Sequence, residues 1–454
     1  MEFTPRSIKA NFTESLKDFT LRKNLTKATH HTIEKRDALK AAAPDWNKWR
    51  DAAAASRRES LLHLDRYLAQ FENQFTALGG EVVHATTIED ARSKILDIIK
   101  AENGRTVVKA KSMVTEELEL ATFLNAQDIE TWETDLGEFI IQLAGEHPSH
   151  ITAPAIHKNR QQIAQLLHEK MGVPYTEDPE LLTGYARQFL RQKYLDADVG
   201  ISGGNFIIAE TGQVILVENE ANIRLSTVLP RIHIAVTGVE KVVPSQQDYA
   251  NLMRLLPASA TGQKMAGYVS ALTPGVSGGP ERMIVILLDA GRRQMLASEK
   301  WEMLACIRCG ACLNVCPIFN RGGGHAYGSV YPGPMGSILT PGLSEPGNAP
   351  DHAFASSLCG ACVDICPVKI PLTKLLLQTR GDVVNTHHKS WDNLAERSVW
   401  KSWSLMMRHP GIFRIMRWFG ARIPVRFHWG SDARKLPRLA KETFLQQVRD
   451  GRFD

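Results

Sequence analysis

All seven cysteines of this 454-residue chain fall within one 61-residue window. Cys306, Cys309, Cys312 and Cys316 come first, followed by Pro317; Cys359, Cys362 and Cys366 close the window, followed by Pro367. The first run reads C-x2-C-x2-C-x3-C-P, the spacing with which bacterial ferredoxins hold iron–sulfur clusters. Three thiolates of such a run wrap one cube, and the fourth points to a second. Crossed in this way, Cys306, Cys309, Cys312 and Cys366 bind one 4Fe-4S cluster. Cys316, Cys359 and Cys362 then belong to the other.

The second run is one ligand short. Aligning Cys359, Cys362 and Cys366 with Cys309, Cys312 and Cys316 puts Ser356 where Cys306 sits. The second site is therefore a 3Fe-4S cluster, or a 4Fe-4S cluster completed by Ser356, His325, water or a partner's residue. An iron left open can also bind substrate as a Lewis acid. Cys359 and Cys362 alone would suit zinc, but zinc takes tetrahedral ligands from two separated pairs, which the four-cysteine run fits poorly.

Clustered cysteines in a chain whose first 21 residues lack an apolar leader segment predict reduced thiols, metal binding and a cytoplasmic setting. No run of about 18 apolar residues predicts a membrane span. The net charge of +5 is uneven. Residues 389–454 carry 14 basic and 6 acidic side chains, +8, which leaves −3 for the rest.

Four regions are expected. Residues 1–65 read as helical, and Trp46, Trp49, Leu61, Leu64, Tyr67, Leu68 and Phe71 fall near helical spacing over 45–71. Residues 66–289 alternate β-rich and helical stretches, as an α/β domain with a largely parallel sheet does. The expected strands include 106–111, 130–133, 150–154, 231–237, 240–243 and 283–288, with a hairpin of 206–210 and 213–218 about Thr211-Gly212. Helices are expected at 116–124 and 158–171. Residues 290–385 form a helical ferredoxin module, entered by a helix at 290–304. Residues 386–454 form a basic, Trp-rich helical region broken at Pro410, Pro424 and Pro437.

Other signals read blandly. Gly322-Gly323-Gly324 and Gly333-Pro334-Met335-Gly336 match no phosphate-binding fingerprint and suit a tight loop on a cluster. Glu218, Asn219 and Glu220 follow a strand, where ligand-binding groups or solvated ones occur. His147, His150 and His157 are too loosely spaced for a metal site, and His168-Glu169 lacks the second histidine of a zinc protease helix. Trp391, Trp400, Trp403, Trp418 and Trp429, interleaved with Arg408, Arg414, Arg417, Arg422 and Arg426, suit packing on the cluster module or a partner subunit. Peripheral membrane contact ranks second and nucleic acid a distant third.

Ala197-Asp198-Val199-Gly200-Ile201-Ser202 and Glu210-Thr211-Gly212 precede Cys306-Ile307-Arg308-Cys309-Gly310-Ala311-Cys312-Leu313-Asn314-Val315-Cys316-Pro317. Leu358-Cys359-Gly360-Ala361-Cys362-Val363-Asp364-Ile365-Cys366-Pro367-Val368-Lys369-Ile370 follows. In this order, over nearly the whole chain, they resemble the lactate-utilisation protein B family. The resemblance implies a LUD domain over 66–289, folded like sugar-phosphate isomerases and CoA transferases, then an α-helical ferredoxin domain and the basic tail. It implies an electron-carrying part in oxidation of L-lactate to pyruvate, with a CCG-domain protein and a small LUD protein as partners. The serine at position 356 belongs to the family pattern. No flavin or nicotinamide fingerprint is present, so another group takes the first electron pair. The alternatives are a catalytic subunit binding a 2-hydroxy acid at an open iron or at Glu218 and Glu220, and an iron–sulfur sensor.

Overall fold

The last long strand shows how the α/β core is built. Ile284, Ile286 and Leu288 face one apolar layer, while Met283, Val285 and Leu287 face another. Both faces are covered, so the strand reads as one unbroken hydrophobic run. The computed structural model describes residues 7–344, 349, 351–386, 392–420 and 442–452. These divide into two compact units, Met1–Val383 and Val384–Asp454.

The first unit holds ten strands among its described residues: β1 (Glu81–Ala85), β2 (Thr106–Lys109), β3 (Glu130–Glu133), β4 (Val199–Ser202), β5 (Phe206–Ile208), β6 (Gln213–Glu218), β7 (Ile232–Gly238), β8 (Val242–Val243), β9 (Tyr268–Leu272) and β10 (Arg282–Leu288). Six make a parallel sheet in the order β1-β10-β7-β4-β2-β3. The other four make a smaller sheet, β8-β5-β6-β9, in which β6 pairs antiparallel with both neighbours. One face of the large sheet packs Val107, Ile201 and Ile234 against Ala91, Ile95 and Ile99 of the helix Ile88–Ala101. The opposite face packs Val285 and Leu287 against Leu68, Phe71 and Phe75 of the helix Leu64–Ala77.

A separate core belongs to the cysteine region. Cys309, Cys316, Cys362 and Cys366 are buried in it with Leu25, Trp46, Phe319, Tyr331 and Leu375. Leu25 and Trp46 come from the helices Phe19–Ala41 and Trp46–Leu62, so the N-terminal helices form part of this core.

Several expected elements differ. The helix over 45–71 is two helices, broken at His63. The helix at 116–124 is also two, Met113–Glu117 and Leu120–Asn125, parted where Glu119 turns left-handed (φ 41°). Residues 150–154 form no strand. Their backbone turns so that His150 Nδ1 accepts the Thr152 and Ala153 N–H groups. The stretch 240–243 begins as a 3-10 turn, Val239–Lys241, before the two-residue β8. The helix at 290–304 is only Arg292–Leu296 and a 3-10 turn at Trp301–Ala305. Gly333–Leu343 is a helix rather than a loop, and a Cβ on Gly336 would land on the Tyr331 carbonyl.

In the second unit, the helices Asp392–Arg408 and Pro410–Gly420 meet at Pro410, as expected. Trp391, Arg422, Pro424, Arg426, Trp429 and Pro437 lie outside the described residues.

Candidate metal centre

The two cysteine loops share one backbone device. Arg308 and Gly310 flank Cys309 with φ of 57° and 76°; Leu358 and Gly360 flank Cys359 with 57° and 87°. Each pair of left-handed residues turns the chain around its cysteine. A single helical turn then follows, Ala311–Asn314 or Ala361–Ile365, carrying the next cysteine. Glycine fits the second left-handed position because it carries no Cβ.

Folding brings thiols together from both ends of the window. Cys306, Cys309, Cys312 and Cys366 line one cavity, closed by Ile151, Met303, Ile307, Met335 and Val368. Burial, then the charges of Cys306 and Cys366, raises the Cys309 thiol. Burial and then Cys306, Cys309 and Cys366 raise Cys312 well above its ordinary range. The other three thiols influence one another: burial, then Cys316 and Cys359, pushes Cys362 up to about 11. Cys312 also feels Cys362, so the two groups adjoin. Thiols crowded this way repel as anions unless cationic metal sits among them, and thiolate is the form that binds iron. The donor set therefore fits iron–sulfur clusters.

Hydrogen bonds to sulfur are in place. The Arg308 N–H donates to Cys306 Sγ and the Ile370 N–H to Cys366 Sγ, both at 3.4 Å. The Phe319 and Ile318 N–H groups and the Tyr327 hydroxyl lie near Cys316 and favour its thiolate against burial, which raises the thiol. Such donors raise the potential of a bound cluster. Ser356 Oγ accepts the Leu358 N–H at 3.2 Å, and its carbonyl accepts from Arg380. His325 stands beside His157, ring centroids 4.6 Å apart, and its Nε2 lies 2.6 Å from the His147 carbonyl. With Glu146 these two histidines place ligand atoms within 4.8 Å of one another. His147 and His157 thus each meet His325, while His150 turns to Asn314 of the first cysteine loop at 3.1 Å.

Basic side chains that the spacing of the cysteines does not reveal surround the first cavity. Arg50 donates twice to the Cys366 carbonyl, at 3.1 and 2.8 Å, and Arg36 to the Ile365 carbonyl at 3.2 Å. Arg57 is fully buried and donates to the carbonyls of Ala305, Leu304, Val242 and Glu240. The available signal was Arg57 at helical spacing from Ala53, Ala54 and Ser60, a face of small residues on which neighbouring chain can pack closely. Arg308 and Arg292 converge on Glu240, at 3.4 and 2.7 Å, and Arg292 also pairs with Glu117 at 2.6 Å. Burial would push Glu240 up, but Arg292, Lys241 and Arg308 outweigh it and hold the carboxyl at about 2.

A cleft of about 270 Å3 opens at the C-terminal ends of β2, β3, β4 and β7, lined by Lys111, Asp135, Gly203, Gly204 and Lys241. Glu218, Asn219 and Glu220 lie on its wall. Crevices of this kind, outside the carboxyl ends of parallel strands, are where α/β sheets bind ligands.

Residues 68–291 match the LUD domain family, and residues 302–370 match the 4Fe-4S dicluster domain family. Fold and site thus define a LUD domain, as the family resemblance implies, joined to the iron–sulfur module that the cysteine spacing predicts. The chain is 41% identical over 453 residues to the "Uncharacterized electron transport protein YkgF" of Escherichia coli (strain K12), covering 96% of this chain and 95% of that protein. It is 43% identical over 366 residues to "Lactate utilization protein B" of Bacillus subtilis (strain 168), covering 80% and 76%. The Bacillus licheniformis protein of the same name is 42% identical over 376 residues, covering 82% and 78%. The chain belongs to the lactate utilization protein B family. No helix among its described residues is long and apolar enough to cross a membrane.

Proposed function

We propose that this protein relays electrons in the oxidation of L-lactate to pyruvate, holding one 4Fe-4S cluster on Cys306, Cys309, Cys312 and Cys366 and a second cluster on Cys316, Cys359 and Cys362. The observation that carries the reading is the convergence of Cys366 with Cys306, Cys309 and Cys312 on one cavity. When bound, such clusters take up and release single electrons. The chain's own residues set the conditions: N–H and hydroxyl donors to sulfur, arginines on the Cys366 and Ile365 carbonyls, and an apolar wall that keeps water off the first site. Names of relatives support the pathway, one an electron transport protein and others lactate utilization proteins.

The relay needs a donor and an acceptor outside this chain. A CCG-domain protein and a small LUD protein are the proposed partners, working in the cytoplasm. Trp400, Trp403, Ile415 and Trp418 are exposed on the tail helices and offer a docking or membrane-surface face. The relay is tested with Cys309→Ser in the reconstituted system. Lactate-dependent electron transfer should vanish while circular dichroism shows the LUD domain folded. Full activity in that variant refutes the relay.

A further inference from the structure

The cysteine cavity and the strand-end cleft share two wall residues, Ile151 and Ile307. Anything bound in the cleft is therefore separated from the first cluster site by single side chains. The chemistry of the cleft says what would bind there.

Its acids are already engaged with backbone. Asp135 accepts the Glu138 N–H at 3.1 Å, Glu220 the Leu136 N–H at 3.3 Å, and Glu218 the N–H groups of Ile223 and Arg224 at 2.7 and 3.1 Å. Its donors are not. Arg308 Nη1 is buried without a partner, the side chain only 9% exposed. Asn222 is 6% exposed, and its Nδ2 also lacks a partner. Lys241 Nζ has a single 3.5 Å contact, to the Cys306 carbonyl. Lys111 makes no ion pair or hydrogen bond among the described residues and acts on Glu220 only at longer range. Buried donors left unpaired are costly, and a carboxylate satisfies them with charge-assisted bonds. Three carboxylates on the same wall disfavour a second negative charge on the ligand.

We propose that this cleft binds a small monocarboxylate carrying a 2-hydroxy or 2-oxo group, its carboxylate held by Arg308, Asn222, Lys111 and Lys241 beside the Ile151–Ile307 wall. The anion site stands on the geometry alone; the choice of a 2-oxygenated acid rests on the proposed relay. The acidic pair Glu218 and Glu220 shapes the cleft by capping backbone and does not hold the ligand's charge.

The test uses the full, iron-replete chain without partners. L-lactate, pyruvate, propionate and inorganic phosphate are titrated in by calorimetry, and electron paramagnetic resonance spectra of the reduced protein are recorded at saturation. L-lactate or pyruvate should bind more tightly than propionate and phosphate and shift the cluster signal. Asn222→Asp and Lys111→Gln should each weaken that binding by about tenfold or more, at unchanged iron content. The proposal is overturned by absence of binding heat, by preference for phosphate, by wild-type affinity in both variants, or by binding that leaves the cluster signal unchanged. Because electron transfer in the reconstituted system is measured separately, a failed cleft with an intact relay is told apart from the reverse.

Discussion

Ser356 stands in the second cysteine loop where Cys306 stands in the first. The Leu358 N–H donates to Ser356 Oγ at 3.2 Å as the Arg308 N–H donates to Cys306 Sγ at 3.4 Å, and both donor residues have φ of 57°. The backbone around the missing cysteine is thus kept in the form that a cysteine would need. Ser356→Cys should therefore supply a fourth thiolate without refolding the loop. Iron and sulfide analysis should give two cubanes per chain, and no oxidised 3Fe-4S resonance should remain. A 3Fe-4S signal as strong as in the parent protein would contradict the equivalence.

Arg292 bridges Glu117 and Glu240 with no exposed atom in any of the three side chains. Removing one member of a buried network strands the charges of the others, at a cost of about 3–5 kcal/mol. Arg292→Met should lower the thermal midpoint by several degrees, and Arg292→Lys, which keeps the charge but loses the fork, should fall between. Differential scanning calorimetry on iron-replete protein checks both. A midpoint within one degree of the parent would show that the network is not needed for stability.

His233 is fully buried, and burial pushes its imidazole down to about 3 from its ordinary 6.5. The unfolded chain therefore binds a proton that the folded chain refuses. The contribution of His233 is complete above pH 6.5 and lost as pH falls from 6.5 toward 3, at about 1.4 kcal/mol per pH unit. Urea midpoints between pH 7.5 and 5 should fall with acidification, and His233→Asn should flatten the slope by about one proton. An unaltered slope would mean that the imidazole titrates normally.

Gly200, in the centre of β4, lies against the helix Asn222–Val228, and a Cβ there would land on the Ser226 carbonyl. Gly200→Ala should push this helix outward and cost about 1–3 kcal/mol. Asn222 lies on the same helix, so the variant should also weaken ligand binding to the cleft. Unchanged stability and unchanged calorimetric affinity together would contradict the close packing.

The cysteine module was legible because its signal is local: ligand spacing, glycine after cysteine and a closing proline all lie within a dozen residues. The strands of the large sheet were legible for a related reason, since Arg282–Leu288 and Ile232–Gly238 are buried on both faces and read as apolar runs. What sequence alone hid depends on distant partners. The turn at 150–154 has the β-branched look of a strand, but His150 caps its own backbone and reaches Asn314. The stretch 290–304 has helical composition, yet its chain must bend to deliver Leu304 and Ala305 carbonyls to Arg57. The cations of the cleft come from three separate segments, and nothing in their spacing unites them.

Arg36 closes on Ile365 across 329 residues of chain, and Arg50 on Cys366 across 316. Both arginines precede the LUD domain in the chain, and both carbonyl partners follow it. Contacts this distant form late, because the intervening loop must close first. The wall of the cysteine pocket is therefore stitched from opposite sides of the LUD domain, and neither side is complete without the other.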